Sequence, residues 1–170
     1  MVRDAAQGKC FLNLFAYTGT FTVYAAAGGA RSGTSVDLSK AYLAWGKRNL
    51  DLNGLADFKH KIERKDVMRF LAEHPLRPTY DLAVVDPPTF SNSKKLEYDW
   101  DIQRDHVLLL NRVLKLMTPG GVVYFSTNFR RFKLAENDVR ADTIEDITPK
   151  TIPPDFRNKK VHRCWRISRG

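Results

Sequence analysis

Short apolar runs alternate with stretches of helical periodicity along most of the chain. Residues 10–16 (Cys-Phe-Leu-Asn-Leu-Phe-Ala) have the length and composition of a buried strand, and 21–27 follow as a helix. Residues 31–36 predict a second strand that ends at Asp37. Ser39 then caps a helix that carries Tyr42, Leu43, Trp45, Leu50 and Leu52 toward the core, and Asn53-Gly54 ends it. A third strand fits 58–64, and a short helix runs from Asp66 until Pro75. Residues 80–85 (Tyr-Asp-Leu-Ala-Val-Val) form a fourth strand, stopped by Asp86-Pro87-Pro88. Apolar residues at 107, 110, 113, 114 and 117 set a helical period across 102–117. Pro119-Gly120-Gly121 turns the chain into a fifth strand, 122–126. Beyond it, 144–147 and 161–167 read as two strands without a clear helix between them, as in a hairpin added to a sheet edge.

Four strand–helix alternations predict an α/β fold, a parallel sheet covered on both faces, and right-handed crossovers make it doubly wound. Ligands of such sheets sit at the carboxyl ends of the strands, where strand order reverses. The 170 residues suit one domain, 1–170, and 43% hydrophobic with 11% aromatic residues exclude a disordered chain. No apolar run approaches the roughly 20 residues of a membrane span, and the start, Met1-Val2-Arg3-Asp4, lacks a signal peptide's apolar stretch. Two cysteines, Cys10 and Cys164, are too few for a disulfide framework and fit a reducing cytoplasm. Four histidines without ligand spacing give no reason to expect a metal. The formal charge of +9 is compatible with a polyanionic partner.

Asn13-Leu14-Phe15-Ala16-Tyr17-Thr18-Gly19 joins the first strand to the first helix. A dinucleotide site wants G-x-G-x-x-G at that junction, and only Gly19 is present. Tyr17 and Thr18 would crowd a diphosphate, but a nucleoside without phosphate fits, and S-adenosylmethionine (SAM) is such a ligand. Asp37, some twenty residues on, is placed to accept hydrogen bonds from ribose hydroxyls, with Leu38 and Ser39 beside it. Asp66 is placed to receive an adenine amino group, with Val67 supplying backbone contact. Either acid also suits a helix N-cap.

Asp86-Pro87-Pro88-Thr89-Phe90 ends the fourth strand beside this pocket. Two prolines fix φ and donate no backbone hydrogen bond, so the loop is stiff and presents carbonyls. Phe90 offers a ring for a flat base to stack on. The chain resembles class I SAM-dependent methyltransferases of the rRNA large-subunit type, in particular the guanine-N7 methyltransferase half of the bifunctional 23S rRNA enzymes. Carrying that resemblance are Phe11 to Gly19, Arg48-Asn49-Leu50-Asp51-Leu52-Asn53-Gly54-Leu55, and the stretch from Asp86 to Lys94. Gln103-Arg104-Asp105-His106 and the tail Asp155-Phe156-Arg157-Asn158…His162…Cys164-Trp165 extend it over nearly the whole chain.

The resemblance implies a Rossmann-like methyltransferase sheet with an antiparallel terminal strand. It implies SAM held around Asn13, Phe15, Ala16, Tyr17, Thr18, Gly19, Asp37, Asp66 and Asp86, and a guanine of 23S rRNA facing Asp86, Pro87, Pro88 and Phe90. It further implies a THUMP domain and an N2-guanine methyltransferase domain ahead of this one, so the chain reads as a fragment of a larger protein. Methylation at C5 of a pyrimidine needs a cysteine nucleophile, and the stretch where relatives carry it is Phe125-Ser126-Thr127-Asn128, with no thiol. Cys10 and Cys164 read as core residues. Guanine N7 has an in-plane lone pair and loses no proton, while an exocyclic amine needs an acceptor for its proton, so both targets stay open. Lys94 and Lys95 after the motif, Arg104 on the long helix, and Arg130, Arg131 and Lys133 after the fifth strand are candidate RNA contacts. His162 beside Trp165 reads as a packed edge pair. A nicotinamide oxidoreductase and a non-catalytic RNA-binding module are the competing readings; the missing glycine fingerprint speaks against the first, the intact acid series against the second.

Overall fold

The computed structural model describes residues 1–91, 99–156 and 161–170. In chain order the elements are α1 (Val2–Ala5), β1 (Cys10–Leu14), α2 (Thr20–Ala27), β2 (Ser32–Asp37), α3 (Lys40–Leu52), β3 (His60–Arg64), α4 (Val67–Glu73) and β4 (Tyr80–Val85). The remainder comprises β5 (Phe90–Ser91), β6 (Trp100–Asp101), α5 (Ile102–Leu116), β7 (Met117–Thr127), a 3-10 turn (Glu136–Asp138), β8 (Thr143–Asp146), α6 (Thr148–Thr151) and β9 (Arg163–Ser168). Seven strands form one sheet in the order β3-β2-β1-β4-β7-β9-β8, and β5 with β6 forms a separate two-stranded ribbon. The pairs β3–β2, β2–β1, β1–β4 and β4–β7 are parallel, whereas β9 runs antiparallel to both β7 and β8. Strand order reverses between β1 and β4, so the ends of these two strands open the crevice in which such sheets bind ligands.

Alternation along the strands sorts the core into two layers. Leu12, Leu14, Ala83, Val85, Val123, Phe125 and Trp165 pack against α4 and α5 through Phe70, Leu71, Leu110 and Val113. Phe125, Phe132 and Trp165 interlock there with ring centroids 5.4–5.7 Å apart, and fully burying each such ring contributes roughly 1.5–3 kcal/mol. On the opposite face Phe11, Leu82 and Val84 meet Val2, Ala6 and Ala25. A buried polar chain crosses that second layer. Asn13 Nδ2 donates to Thr22 Oγ1 at 2.9 Å, Thr22 and Ser35 hydroxyls lie 2.7 Å apart, and His60 Nε2 reaches Ser35 Oγ at 2.9 Å. These bonds satisfy groups whose unpaired burial would each cost about 1–3 kcal/mol.

The helix signals act as read. Ser39 accepts from the Tyr42 N–H, Asp66 from the Arg69 N–H, and Gly54 takes φ +68° after α3. Three expectations are corrected. Tyr42, Trp45 and Leu52 are 39%, 49% and 82% exposed rather than core, because α3 buries only Leu43 and Leu50. β7 starts at Met117, ahead of Pro119-Gly120-Gly121: Met117 already pairs with Tyr80, and the register shifts before Leu82 meets Val122. Backbone bonds between Arg169 and the two glycines carry the strand through that bulge. The last two strands do pair antiparallel and extend the sheet from β7, but α6 lies between them where no helix is expected, and the later strand, β9, is the one beside β7. No helix among the described residues is long and apolar enough to cross a membrane.

Candidate active site

A cleft of about 710 Å³ opens at the carboxyl ends of β1, β2, β3 and β4. Its walls include Phe15 and Tyr17 after β1, Asp37, Leu38 and Ser39 after β2, Asp66 and Val67 after β3, and Asp86, Pro87 and Pro88 after β4. The loop after β1 is wound tightly: Phe15, Tyr17 and Gly19 have φ of 58°, 48° and 73°. Left-handed φ costs a residue with a Cβ roughly 1–2 kcal/mol, so Phe15 and Tyr17 persist there only because the surroundings hold them. The Ala16 N–H donates to Val36 O, the Tyr17 N–H to Asp37 Oδ2, and Asn49 Nδ2 to Thr18 O. Gly19 sits where a Cβ would stand 3.0 Å from Gly46 Cα; only glycine lets α3 approach this closely.

Asp37 holds both sides of its turn, Oδ2 accepting from Tyr17 N–H at 2.9 Å and Oδ1 from Ser39 N–H at 2.8 Å. Each carboxylate oxygen keeps a further lone pair for a ligand hydroxyl. Asp66 is occupied as the cap of α4, yet it also lines the cleft. Asn13, Ala16, Thr18 and Gly19 are absent from the cleft wall: Asn13 is buried on the α2 side, and the others shape the loop from behind.

The diproline edge is braced from outside. Trp100 Nε1 donates to Pro88 O at 2.8 Å, and the Ile102 N–H reaches Thr89 O. Asp86 accepts a 2.7 Å hydrogen bond from Ser126 Oγ. Burial pushes the Asp86 carboxyl above its ordinary range, while the Ser126 bond and the nearby His162 pull it down. Phe90 is 57% exposed, 6.1 Å from Phe129, and is not among the residues that line the cleft. Cys164, 7% exposed beside Asp86, has its thiol pushed by burial up to about 12, so it is not an ionised nucleophile at neutral pH.

The candidate RNA contacts divide. Arg130, Arg131 and Lys133 are exposed after β7. Lys133 lies next to the start of α5, its backbone exchanging two hydrogen bonds with Gln103. Arg104 is committed to Asp105 at 2.8 Å. Lys94 and Lys95 lie outside the described residues. His106 is a buried strut: its Nε2 accepts from the Ala135 N–H and its ring packs 4.8 Å from Phe132. His162 is not simply packed on Trp165, since its Nε2 lies 2.7 Å from Thr151 Oγ1. Sequence reading missed Trp100 and Asn128 as walls of the cleft; each is brought in by a loop whose path no periodicity records. Among the described residues no group of three or more His, Cys, Asp or Glu is gathered as a metal ion would require.

A family model described as S-adenosylmethionine-dependent methyltransferase matches residues 1–160. The chain belongs to this family. A ribosomal RNA large subunit methyltransferase K/L of Ectopseudomonas mendocina is 56% identical over 168 residues, covering 98% of this chain and 23% of that protein. The protein of the same name from Pseudomonas aeruginosa is 54% identical, again over 98% and 23%. This chain therefore spans about a quarter of these relatives' length. Among solved structures, SMU.776, described as a methyltransferase complexed with S-adenosylhomocysteine (SAH), is 25% identical, with TM-score 0.77 over 98% of this chain and 47% of that one. A SAM-dependent methyltransferase from Agrobacterium tumefaciens, 22% identical, reaches TM-score 0.75 over 99% and 58% and shares the fold.

The cleft fits the family's cofactor. Its carboxylate at the end of β2, its aromatic loop with no phosphate-binding glycines, and its volume suit a nucleoside carrying a charged amino-acid arm.

Proposed function

We propose that this chain transfers a methyl group from SAM to a base of large-subunit ribosomal RNA, at N7 of a guanine. The observation that carries the reading is the braced Asp86-Pro87-Pro88 edge on the wall of the cofactor cleft, in a chain 53–56% identical to relatives named ribosomal RNA large subunit methyltransferase K/L. SAM supplies a methyl on a sulfonium, which leaves as a neutral thioether when a nucleophile's lone pair takes the methyl carbon. Guanine N7 brings that lone pair in its ring plane and gives up no proton.

What remains for the protein is orientation and charge. Asp37, Asp66 and the loop from Phe15 to Gly19 hold the cofactor. Pro87 and Pro88 stiffen the backbone that carries Asp86 beside the base, and the Asp86 carboxylate faces the positive charge that the purine acquires. Phe90 and Phe129 give the RNA strand a stacking surface, and Arg130, Arg131 and Lys133 hold its phosphates, with Lys94 and Lys95 assigned the same task.

A carboxylate at Asp86 also suits an exocyclic amine, whose proton it would accept. Reduction with borohydride followed by aniline cuts RNA at N7-methylguanine and leaves N-methylated amines intact. Purified protein, labelled SAM and unmodified 23S rRNA are expected to give incorporation and one aniline-sensitive site. Incorporation without scission would move the target to an amine, and absence of incorporation with SAH binding intact would favour a binding module.

A further inference from the structure

A second cavity, of about 450 Å³, lies on the other side of Asp86, between the ends of β4, β7 and β9, the segment that carries α6, and Met1, Val2 and Phe21. Its volume falls within the roughly 300–1,000 Å³ of small-ligand pockets. Asp86 and Asn128 line both this cavity and the cofactor cleft. A transfer between two substrates needs their reacting atoms about 3–3.5 Å apart, so a base in the second cavity meets the cofactor at Asp86 and Asn128, the residues that face both spaces.

Thr151 and His162 form one polar edge of the second cavity, across from Asp86, Ser126 and Asn128. Thr151 Oγ1 donates its single proton to Thr148 O at 2.8 Å. In its 2.7 Å contact with His162 Nε2 the hydroxyl is therefore the acceptor and the imidazole the donor. An imidazole that donates from Nε2 carries, in its neutral form, an acceptor lone pair on Nδ1. Lys150, also on the wall, is paired with Glu145 at 2.7 Å. A guanine with N7 turned to the cofactor carries N1–H and its amino group on the opposite edge, and those donors need an acceptor. Adenine presents a lone pair at N1 instead.

We propose that the second cavity receives the base to be methylated, and that His162, its ring set by Thr151, accepts a hydrogen bond from the guanine's N–H edge. This rests on reading the chain as a guanine methyltransferase, and it leaves Phe90 and Phe129 to stack a neighbouring nucleotide.

Titration of guanosine 5′-monophosphate into the SAH-loaded protein, followed by amide NMR, is the test. The amide signals of Thr151, His162 and Asn128 are expected to shift, with a response at least about tenfold weaker for adenosine 5′-monophosphate. His162→Ala is expected to abolish the response while SAH affinity by calorimetry stays within about twofold, and His162→Gln, which retains an acceptor, to keep more of it. Shifts confined to Phe90 and Phe129, equal responses to the two nucleotides, or no response in a protein that binds SAH would overturn the proposal. Failure of the unmutated protein to bind SAH would instead overturn the methyltransferase reading beneath it.

Discussion

Ser126 Oγ and Asp86 Oδ1 are joined by a 2.7 Å hydrogen bond that ties the ends of the parallel strands β4 and β7. The bond fixes one carboxylate oxygen and steadies the negative form against the burial that opposes it. Removing the donor in Ser126→Ala raises the Asp86 carboxyl further. If the ionised form supports transfer, the acidic limb of the pH–rate profile moves toward higher pH. Ser126→Thr, which retains the hydroxyl, is expected to restore it, and Asp86→Ala is expected to lower kcat/KM by roughly 10²-fold or more.

Asp37 links cofactor binding to the shape of the loop. Its two oxygens hold the N–H groups of Tyr17 and Ser39, and Tyr17 sits at a φ of 48° that it would not adopt unaided. On the proposed reading Asp37→Ala removes a ligand for the ribose and releases the loop together. Hydrogen bonds to a charged group are worth about 1.5–3 kcal/mol, so SAH affinity measured by calorimetry is expected to fall roughly 10–100-fold.

The strand–helix series was legible because β1 and β4 are buried and read as largely apolar runs, and because caps at Ser39 and Asp66 mark where helices begin and so bound β2, which is buried but made mostly of small polar residues. Acids that end strands were legible for the same reason: Asp37, Asp66 and Asp86 all reach one cleft. What did not follow from pattern was which side of a loop a residue would face. Asn13 sits amid an apolar run and is drawn to Thr22 rather than to the cleft. Tyr42 and Trp45 match a helical stripe but lie outside it, since α3 touches the sheet through Leu43 and Leu50. Asn128 reaches Asp86 through the pairing of β7 with β4, and His162 through that of β9 with β7, meetings of distant segments that leave no local signal.

Gly19 and Gly46 touch, and the two sides of the contact are not equivalent. A Cβ on Gly19 would lie 3.0 Å from Gly46 Cα on a backbone with φ +73°, whereas a Cβ on Gly46 meets Gly19 atoms at an ordinary 3.5 Å. Gly19→Ala is expected to destabilise the fold by about 1–3 kcal/mol. Gly46→Ala, inside α3, is expected to be neutral or to stabilise by up to about 1 kcal/mol. Urea midpoints with unchanged m values check both.

Arg130 and Arg131 are exposed beyond β7, close in sequence to the Phe129 ring that meets Phe90. If they hold phosphates, replacing both with glutamate weakens RNA binding at every sequence alike. The slope of log affinity against log salt is then expected to fall in magnitude by roughly 0.7–0.9 for each phosphate no longer neutralised. An unchanged slope would remove them from the interface.

His60 gives the fold a pH limit apart from catalysis. Its ring is partly buried beside Phe58 and Ser35, and that burial lowers its pKa from 6.5 to about 4. In the unfolded chain the ring regains its ordinary affinity for a proton, so between pH 4 and 6.5 the unfolded state binds more protons than the folded one. Stability therefore rises with pH through that window and is lost as pH falls through it. The shift implies a loss of about 2 kcal/mol between pH 7 and pH 5. A hydrogen bond from Arg104 holds the Asp105 carboxyl below its ordinary value, and at Asp146 the bonds from Thr148 and Arg163 together outweigh the burial that opposes them. The contribution of these two acids is lost at lower pH and does not mask the imidazole. Urea unfolding of the parent and of His60→Asn at the two pH values is the check. The variant is expected to start less stable at pH 7 but to lose much less on acidification, and an equal loss in both would assign the acid sensitivity to another group.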